Sequence, residues 1–76
     1  MKNLKIKIHG LNDMNDFIQR AQRTVGDVLV KRGKYCVDGR SALGVMSIGV
    51  DQGITVEIED SEANATFIEW LSKFVV

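Results

Sequence analysis

A length of 76 residues is enough for one domain and leaves no room for a second hydrophobic core. Apolar residues make up 45% and charged residues 26% of the chain, a balance that excludes a disordered or membrane-spanning protein. The net charge is zero, yet residues 1–40 hold nine Lys or Arg against four Asp and residues 41–76 hold one Lys against six acidic residues, a split of +5 and −5.

The N-terminal part of the chain has the pattern of a strand followed by a helix. Apolar residues from Leu4 to Ile8 alternate with lysines, a period of two that indicates a strand with one solvated face. Apolar residues at helical spacing then predict a helix over residues 13–23, capped by Asn12 or Asp13. The buried side of this helix is predicted to consist of Met14, Phe17, Ile18 and Ala21.

The middle of the chain has the pattern of a β-hairpin. Alternating valines predict a strand over residues 25–31, and a second short strand is predicted over residues 34–37. Arg32-Gly33 supplies the turn between them. The only cysteine, Cys36, falls within the second strand and is predicted to be a buried structural thiol.

Residues 38–53 combine a helix start, an apolar stripe and a stop at Gly53. Ser41 is the predicted N-cap, because its hydroxyl can accept a hydrogen bond from a free backbone N–H of the first turn. The helix is apolar nearly all round, so part of it is expected in the core and part at a partner. Leu43 and Met46 are predicted to face outward. The side toward the sheet is predicted to consist of Val45, Ile48 and Gly49.

The last part of the chain predicts a strand that starts at Ile54 and a final helix capped by Asp60 or Ser61. The residues predicted to pack this helix onto the sheet are Ala65, Ile68, Trp70, Leu71, Phe74 and Val75. The element order is therefore β-α-β-β-α-β-α. This order predicts an α+β fold of two layers, in which three helices cover one face of a four-stranded antiparallel sheet.

The segment around Ser41 resembles the second helix of the HPr phosphocarrier family. That family has the pattern (Lys/Arg)-Ser-apolar-apolar-Gly-apolar-apolar-Ser-apolar-Gly-apolar-x-Gln-Gly. The positions of this chain that match its named residues are Arg40, Ser41, Gly44, Ser47, Gly49, Gln52 and Gly53. The resemblance implies one domain over residues 1–76 with the open-faced sandwich of that family. It also implies a role in the phosphoenolpyruvate-dependent sugar phosphotransferase system.

The resemblance also implies where the family's phosphoacceptor histidine would stand, within its motif Gly-Leu-His-x-Arg-Pro at the start of the first helix. An ungapped count back from Ser41 puts the histidine position at Gly10, and matching the Gly10-Leu11 pair puts it at Asn12. Neither register supplies the histidine, the arginine or the proline. His9, the only histidine, would serve as phosphoacceptor only after a local shift; otherwise it simply ends the first strand.

Two further roles follow from the resemblance. The serine that matches Ser41 is phosphorylated by an HPr kinase in many bacteria, and a phosphate there would meet free N–H groups and the positive end of the helix dipole. Arg40 adds a cation beside it, and a plain N-cap is the alternative. Ala42, Leu43 and Met46 match the apolar patch through which the family docks its partners, and core packing is the alternative for them.

Taken together, the sequence predicts a non-enzymatic regulatory or protein-binding member of the family. Its expected partners are proteins of the phosphotransferase system or an HPr kinase or regulator. Two alternatives stay open, an active phosphocarrier that uses His9 in a rearranged site and a binding module that keeps only the fold.

Several classes of site and partner are not expected. One histidine and one cysteine are too few for a zinc site, and no metal or cofactor is expected. The basic residues lack an accompanying set of aromatic stacking residues, which argues against nucleic acid. The charge split indicates either a mixed solvated surface or a basic face for an acidic protein. A cytoplasmic monomer without membrane insertion is the expectation.

Overall fold

The computed structural model describes residues 1–76 as a four-stranded antiparallel sheet with three helices. The strands are β1 (Lys2–Ile6), β2 (Val28–Arg32), β3 (Tyr35–Asp38) and β4 (Ile54–Ile58). The helices are α1 (Leu11–Ala21), α2 (Ala42–Ile48) and α3 (Ala65–Ser72). The strand order is β1-β4-β2-β3, so the last strand of the chain lies between the first two. The predicted fold class is confirmed. No helix reaches the length and apolar character needed to cross a membrane.

The core lies between the helices and one face of the sheet. In β4 the side chains of Ile54, Val56 and Ile58 are buried, whereas Thr55 and Glu57 lie on the opposite face and are half-exposed. A cluster of 17 buried apolar residues joins this face to all three helices. The alternation of β4 therefore determines which face of the sheet the helices cover.

The buried side of α1 is confirmed, but its predicted caps are wrong. Phe17, Ile18 and Ala21 are buried, and Met14 packs against them while half-buried. The helix begins at Leu11, ahead of Asn12 and Asp13, and its N-cap is Gly10, which has a φ of 95°. Glycine adopts this backbone conformation readily, so the chain turns into the helix without a side-chain cap.

The final helix differs from its prediction at both ends. Ser61 precedes a short 3-10 turn over Glu62–Asn64, and neither Asp60 nor Ser61 caps α3, which begins at Ala65. Ala65 and Val75 are exposed, so their predicted packing on the sheet is wrong. Buried aromatic and aliphatic residues hold this helix in place: Phe67, Ile68, Trp70 and Leu71.

The second helix is shorter than its apolar run. It ends at Ile48, because Gly49 adopts a left-handed conformation with a φ of 84°. A 3-10 turn over Val50–Gln52 follows, and the predicted stop at Gly53 comes one turn later than the end of the α-helix.

Cys36 is exposed, and its prediction as a buried thiol is wrong. In the sheet it pairs with Lys31, so both side chains project from the face that the helices leave open. The β3 strand is also an edge of the sheet, which leaves Cys36 with a neighbouring strand on one side only.

Candidate functional site

The start of α2 is organised by the hydroxyl of Ser41. Its Oγ accepts a hydrogen bond from the backbone N–H of Gly44 at 3.1 Å, and its carbonyl accepts one from Val45 at 2.9 Å. The predicted N-cap is therefore confirmed. A Cβ atom at Gly44 would stand 3.1 Å from the Cβ of Val37, so glycine at this position lets the first turn lie close against β3.

Ser41→Ala is expected to lower the free energy of unfolding by about 0.5–2 kcal/mol, because a first-turn N–H loses its acceptor. Urea denaturation with a far-UV readout measures the change. Ser47→Ala is the matched control: the Ser47 hydroxyl donates to the carbonyl of Gly44 at 2.9 Å inside the same helix and caps nothing. Equal midpoints for the two variants would show that the cap contributes nothing beyond an ordinary exposed hydroxyl.

Three apolar residues of α2, which we name the α2 surface, are exposed: Ala42, Leu43 and Met46. Leu43 is 82% and Met46 55% exposed, whereas Val45 is fully buried and Ile48 is 4% exposed. The predicted outward side and the burial of Val45 and Ile48 are therefore confirmed, whereas Gly49, predicted to face the sheet, is half-buried and ends the helix as its C-cap. A leucine and a flexible methionine side by side form an apolar surface that can adapt to a partner.

Arg40 has a structural role that the sequence did not indicate. Its Nη2 donates to the carbonyl of Thr24 at 2.9 Å and to that residue's hydroxyl at 3.2 Å, and also to the carbonyl of Gly26. Its backbone N–H donates to Asp38 Oδ1 at 2.9 Å. The guanidinium thus ties the loop between α1 and β2 to the start of α2. No local pattern could show this, because the acceptors lie 14 to 16 residues away in the chain.

The start of α1 carries little of the chemistry that a phosphohistidine needs. Its N-cap is Gly10, the position that an ungapped count from Ser41 also indicates, and its first turn holds one charge, that of Asp13. His9 is exposed and immediately precedes the cap. His9 lies next to the helix start along the chain, but the first turn of α1 holds no arginine to accompany it.

Metal chemistry has no candidate residues. No group of three or more His, Cys, Asp or Glu side chains is placed to hold a metal ion.

Comparison with known proteins assigns the chain to a family. The family model described as "PTS HPr component phosphorylation site" matches residues 14–75. The chain belongs to the HPr family. Among solved structures, HPr-C-His from Thermoanaerobacter tengcongensis is similar with a TM-score of 0.73 and 24% identity, over 96% of this chain and 93% of that one. The phosphocarrier protein HPr from Bacillus anthracis str. Ames has a TM-score of 0.70 and 23% identity over the same shares. No curated protein matches by sequence.

As an HPr-family protein, the chain is phosphocarrier-like, and proteins of this family interact with proteins of the phosphotransferase system. The matched region contains the whole of α2 with its cap and begins at residue 14, after His9 and Gly10. The family match therefore includes the Ser41 segment and does not include the start of α1.

Proposed function

We propose that this HPr-family protein is a non-enzymatic regulatory member of the phosphotransferase system. It acts in the cytoplasm, binds protein partners through the α2 surface and relays no phosphate through histidine. The observation that supports this most strongly is the exposure of Leu43 and Met46, at 82% and 55%. Burial of such a side chain contributes a favourable free energy of about 1.5–3 kcal/mol. Because both side chains stay exposed after folding, a partner that covers them gains this contribution on binding.

The start of α1 supports the loss of histidine relay. A phosphoryl group on histidine needs free N–H donors and a cation beside the imidazole, because its negative charges must be offset. Here Gly10 occupies the start of the helix, and Asp13 adds a negative charge to the first turn. An anion at that place would be repelled by this carboxylate.

Ser41 is the proposed regulatory site, and an HPr kinase or regulator is the proposed partner there. The residue is exposed and caps α2, so a phosphate on its hydroxyl would face the N–H groups of the first turn. Arg40 is half-buried and already bonded to the loop at Thr24 and Gly26. The helix N–H groups, and not Arg40, would therefore supply most of the stabilisation of the phosphate.

Incubation with enzyme I and phosphoenolpyruvate is expected to leave the intact mass unchanged, because the start of α1 offers no imidazole with a cation. Incubation with an HPr kinase and ATP is expected to add the mass of one phosphoryl group. Intact mass spectrometry measures both reactions. Ser41→Ala should abolish the second gain, and His9→Ala should leave it unaffected. Acid-labile phosphate on His9 after the enzyme I reaction would establish the active-phosphocarrier alternative instead.

A further inference from the structure

The fold places several positively charged side chains at one end of the sheet. Since β1 and β2 both run antiparallel to β4, they end where β4 begins. Thr55 of β4 pairs with Lys5 on one side and with Lys31 on the other. Strands lie about 4.8 Å apart, so two lysines flank one threonine on the open face. Arg32, the last residue of β2, adds a further positive charge at this end.

A cleft of about 320 Å³ opens at this end of the sheet, a volume in the range of sites for small molecules. No aspartate or glutamate side chain lines it. Its polar lining residues are Lys5, Lys31, Arg32, Gln52 and Thr55. Backbone at Gly33 and Gly53 completes the wall, and a Cβ atom at Gly53 would stand 3.6 Å from the Cε of Lys7. The Lys7 side chain therefore lies along the rim as a fourth cation.

Arg32 and Lys31 are held in place by contacts with other residues, whereas Lys5 and Arg32 have no ion-pair partner. The Nε of Arg32 donates to the carbonyl of Ile48 at 2.5 Å, which fixes the guanidinium at the end of α2. The Nζ of Lys31 lies 2.7 Å from Glu57 Oε2, and this hydrogen bond and the charge of Glu57 raise the pKa of Lys31. Neither Lys5 nor Arg32 forms an ion pair with any carboxylate of the chain.

The opposite end of the sheet is acidic. The acidic residues at or beside the strand ends there are Asp27, Asp38, Glu59 and Asp60. Lys2 also lies at that end, and Asp51 lies beside Gln52 of the cleft lining, so the charges are only partly separated along the strands. A partial separation of this kind favours an anion at the cleft over the other end.

We propose that this cleft binds a small polyanion that carries phosphate groups, with Lys5 and Arg32 as its principal contacts. A guanidinium presents parallel N–H donors to a phosphate. Lys5 offers a mobile ammonium from the open face, and Arg32 lines the cleft from the helix-covered face, where its Nε is bonded to Ile48. Thr55 and Gln52 supply neutral hydrogen-bonding groups in the same lining. The site uses neither Ser41 nor the α2 surface, so the result of its test does not depend on the proposed function.

Titration of the ¹⁵N-labelled protein with inorganic pyrophosphate, followed by amide chemical shifts, tests the site. We expect saturable shifts confined to the cleft, at Gly33, Gly53 and Thr55. Lys5→Glu should raise the Kd about tenfold, the equivalent of one charge-assisted hydrogen bond. Lys2→Glu is the matched control, because it makes the same charge change at the other end of β1 and should leave the Kd unchanged.

Equal weakening by Lys5→Glu and Lys2→Glu would show attraction to net charge alone and would overturn the proposal. Shifts that fail to saturate would overturn it as well. Titration with citrate separates phosphate recognition from general recognition of anions, and equal affinity for citrate would refute recognition of phosphate groups. A thermal melt of each variant establishes that it is folded. Arg32→Gln is a second, independent variant that should also weaken binding of pyrophosphate.

Discussion

Leu43→Asp and Met46→Asp are expected to leave the domain folded and to abolish binding to an HPr kinase, whereas Val45→Asp is expected to unfold it. Leu43 and Met46 are 82% and 55% exposed, so aspartate there stays solvated and changes the free energy of unfolding by about 1 kcal/mol or less. The same charge would lose its solvation at the centre of an apolar contact, which removes affinity.

Val45 is fully buried, and an unpaired carboxylate in its place costs several kcal/mol. A domain of this size has a total stability of roughly 4–11 kcal/mol, so the substitution removes most or all of it. Thermal melts by circular dichroism separate the three variants, and Ile48→Asp should behave as Val45→Asp does. Isothermal titration with the kinase then measures binding by the variants that fold.

Thr66→Asp is the matched control for this series. Thr66 is the second residue of α3, as Leu43 is the second residue of α2, and it is exposed. Thr66→Asp therefore introduces the same charge at the same helical position, away from the α2 surface. This variant should bind the kinase normally. If Leu43→Asp and Met46→Asp unfold the protein as Val45→Asp does, the α2 surface is part of the core and the docking proposal fails.

Asn64→Ala is expected to lower the free energy of unfolding by about 2–4 kcal/mol, because three hydrogen bonds at a buried site lose their partner. The Asn64 side chain is 1% exposed. Its Oδ1 accepts from the backbone N–H of Val25 at 3.0 Å, and its Nδ2 donates to the carbonyls of Val25 and Glu59, also at 3.0 Å. It thus joins the chain before β2 to the chain after β4.

Differential scanning calorimetry measures this effect, since each kcal/mol shifts the Tm of so small a domain by about 4–8 °C. Asn15→Ala is the control, because Asn15 is exposed on α1 and alanine there favours the helix. Hydrogen exchange at the Val25 amide should accelerate in Asn64→Ala and stay slow in the control. A Tm for Asn64→Ala equal to that of the control would mean that water replaces the lost bonds.

The features predicted correctly from the sequence depend on residues near one another in the chain. Ser41 and Gly44 are three residues apart, so the cap is encoded within one turn. The inward and outward sides of α2 follow from the helical period, and the alternation of β4 follows from the period of two. The HPr family resemblance in residues 40–53 extended this local pattern to the whole fold, and the family comparison confirms it.

Predictions failed where contacts distant in sequence decide the outcome. The alternation around Cys36 was correctly placed in a strand, but only the pairing with Lys31 at a sheet edge shows which face its thiol occupies. The caps of α1 and α3 were wrong for a local reason, because Gly10 and the 3-10 turn before Ala65 direct the chain without side-chain caps. Local propensity describes a preferred conformation, and tertiary packing selects among the conformations that it allows.

The sequence by itself determined the two periodicities, the Ser41 cap and the absence of a histidine at the position that the family uses, because each is a property of a short segment. Only the tertiary structure decided that Arg40 binds the loop at Thr24 and that Asn64 joins two loops. It alone also brought Lys5, Lys31 and Arg32 to one end of the sheet. The physical reason is the strand order: β4 inserts between β1 and β2, so charges far apart in the chain become neighbours across it.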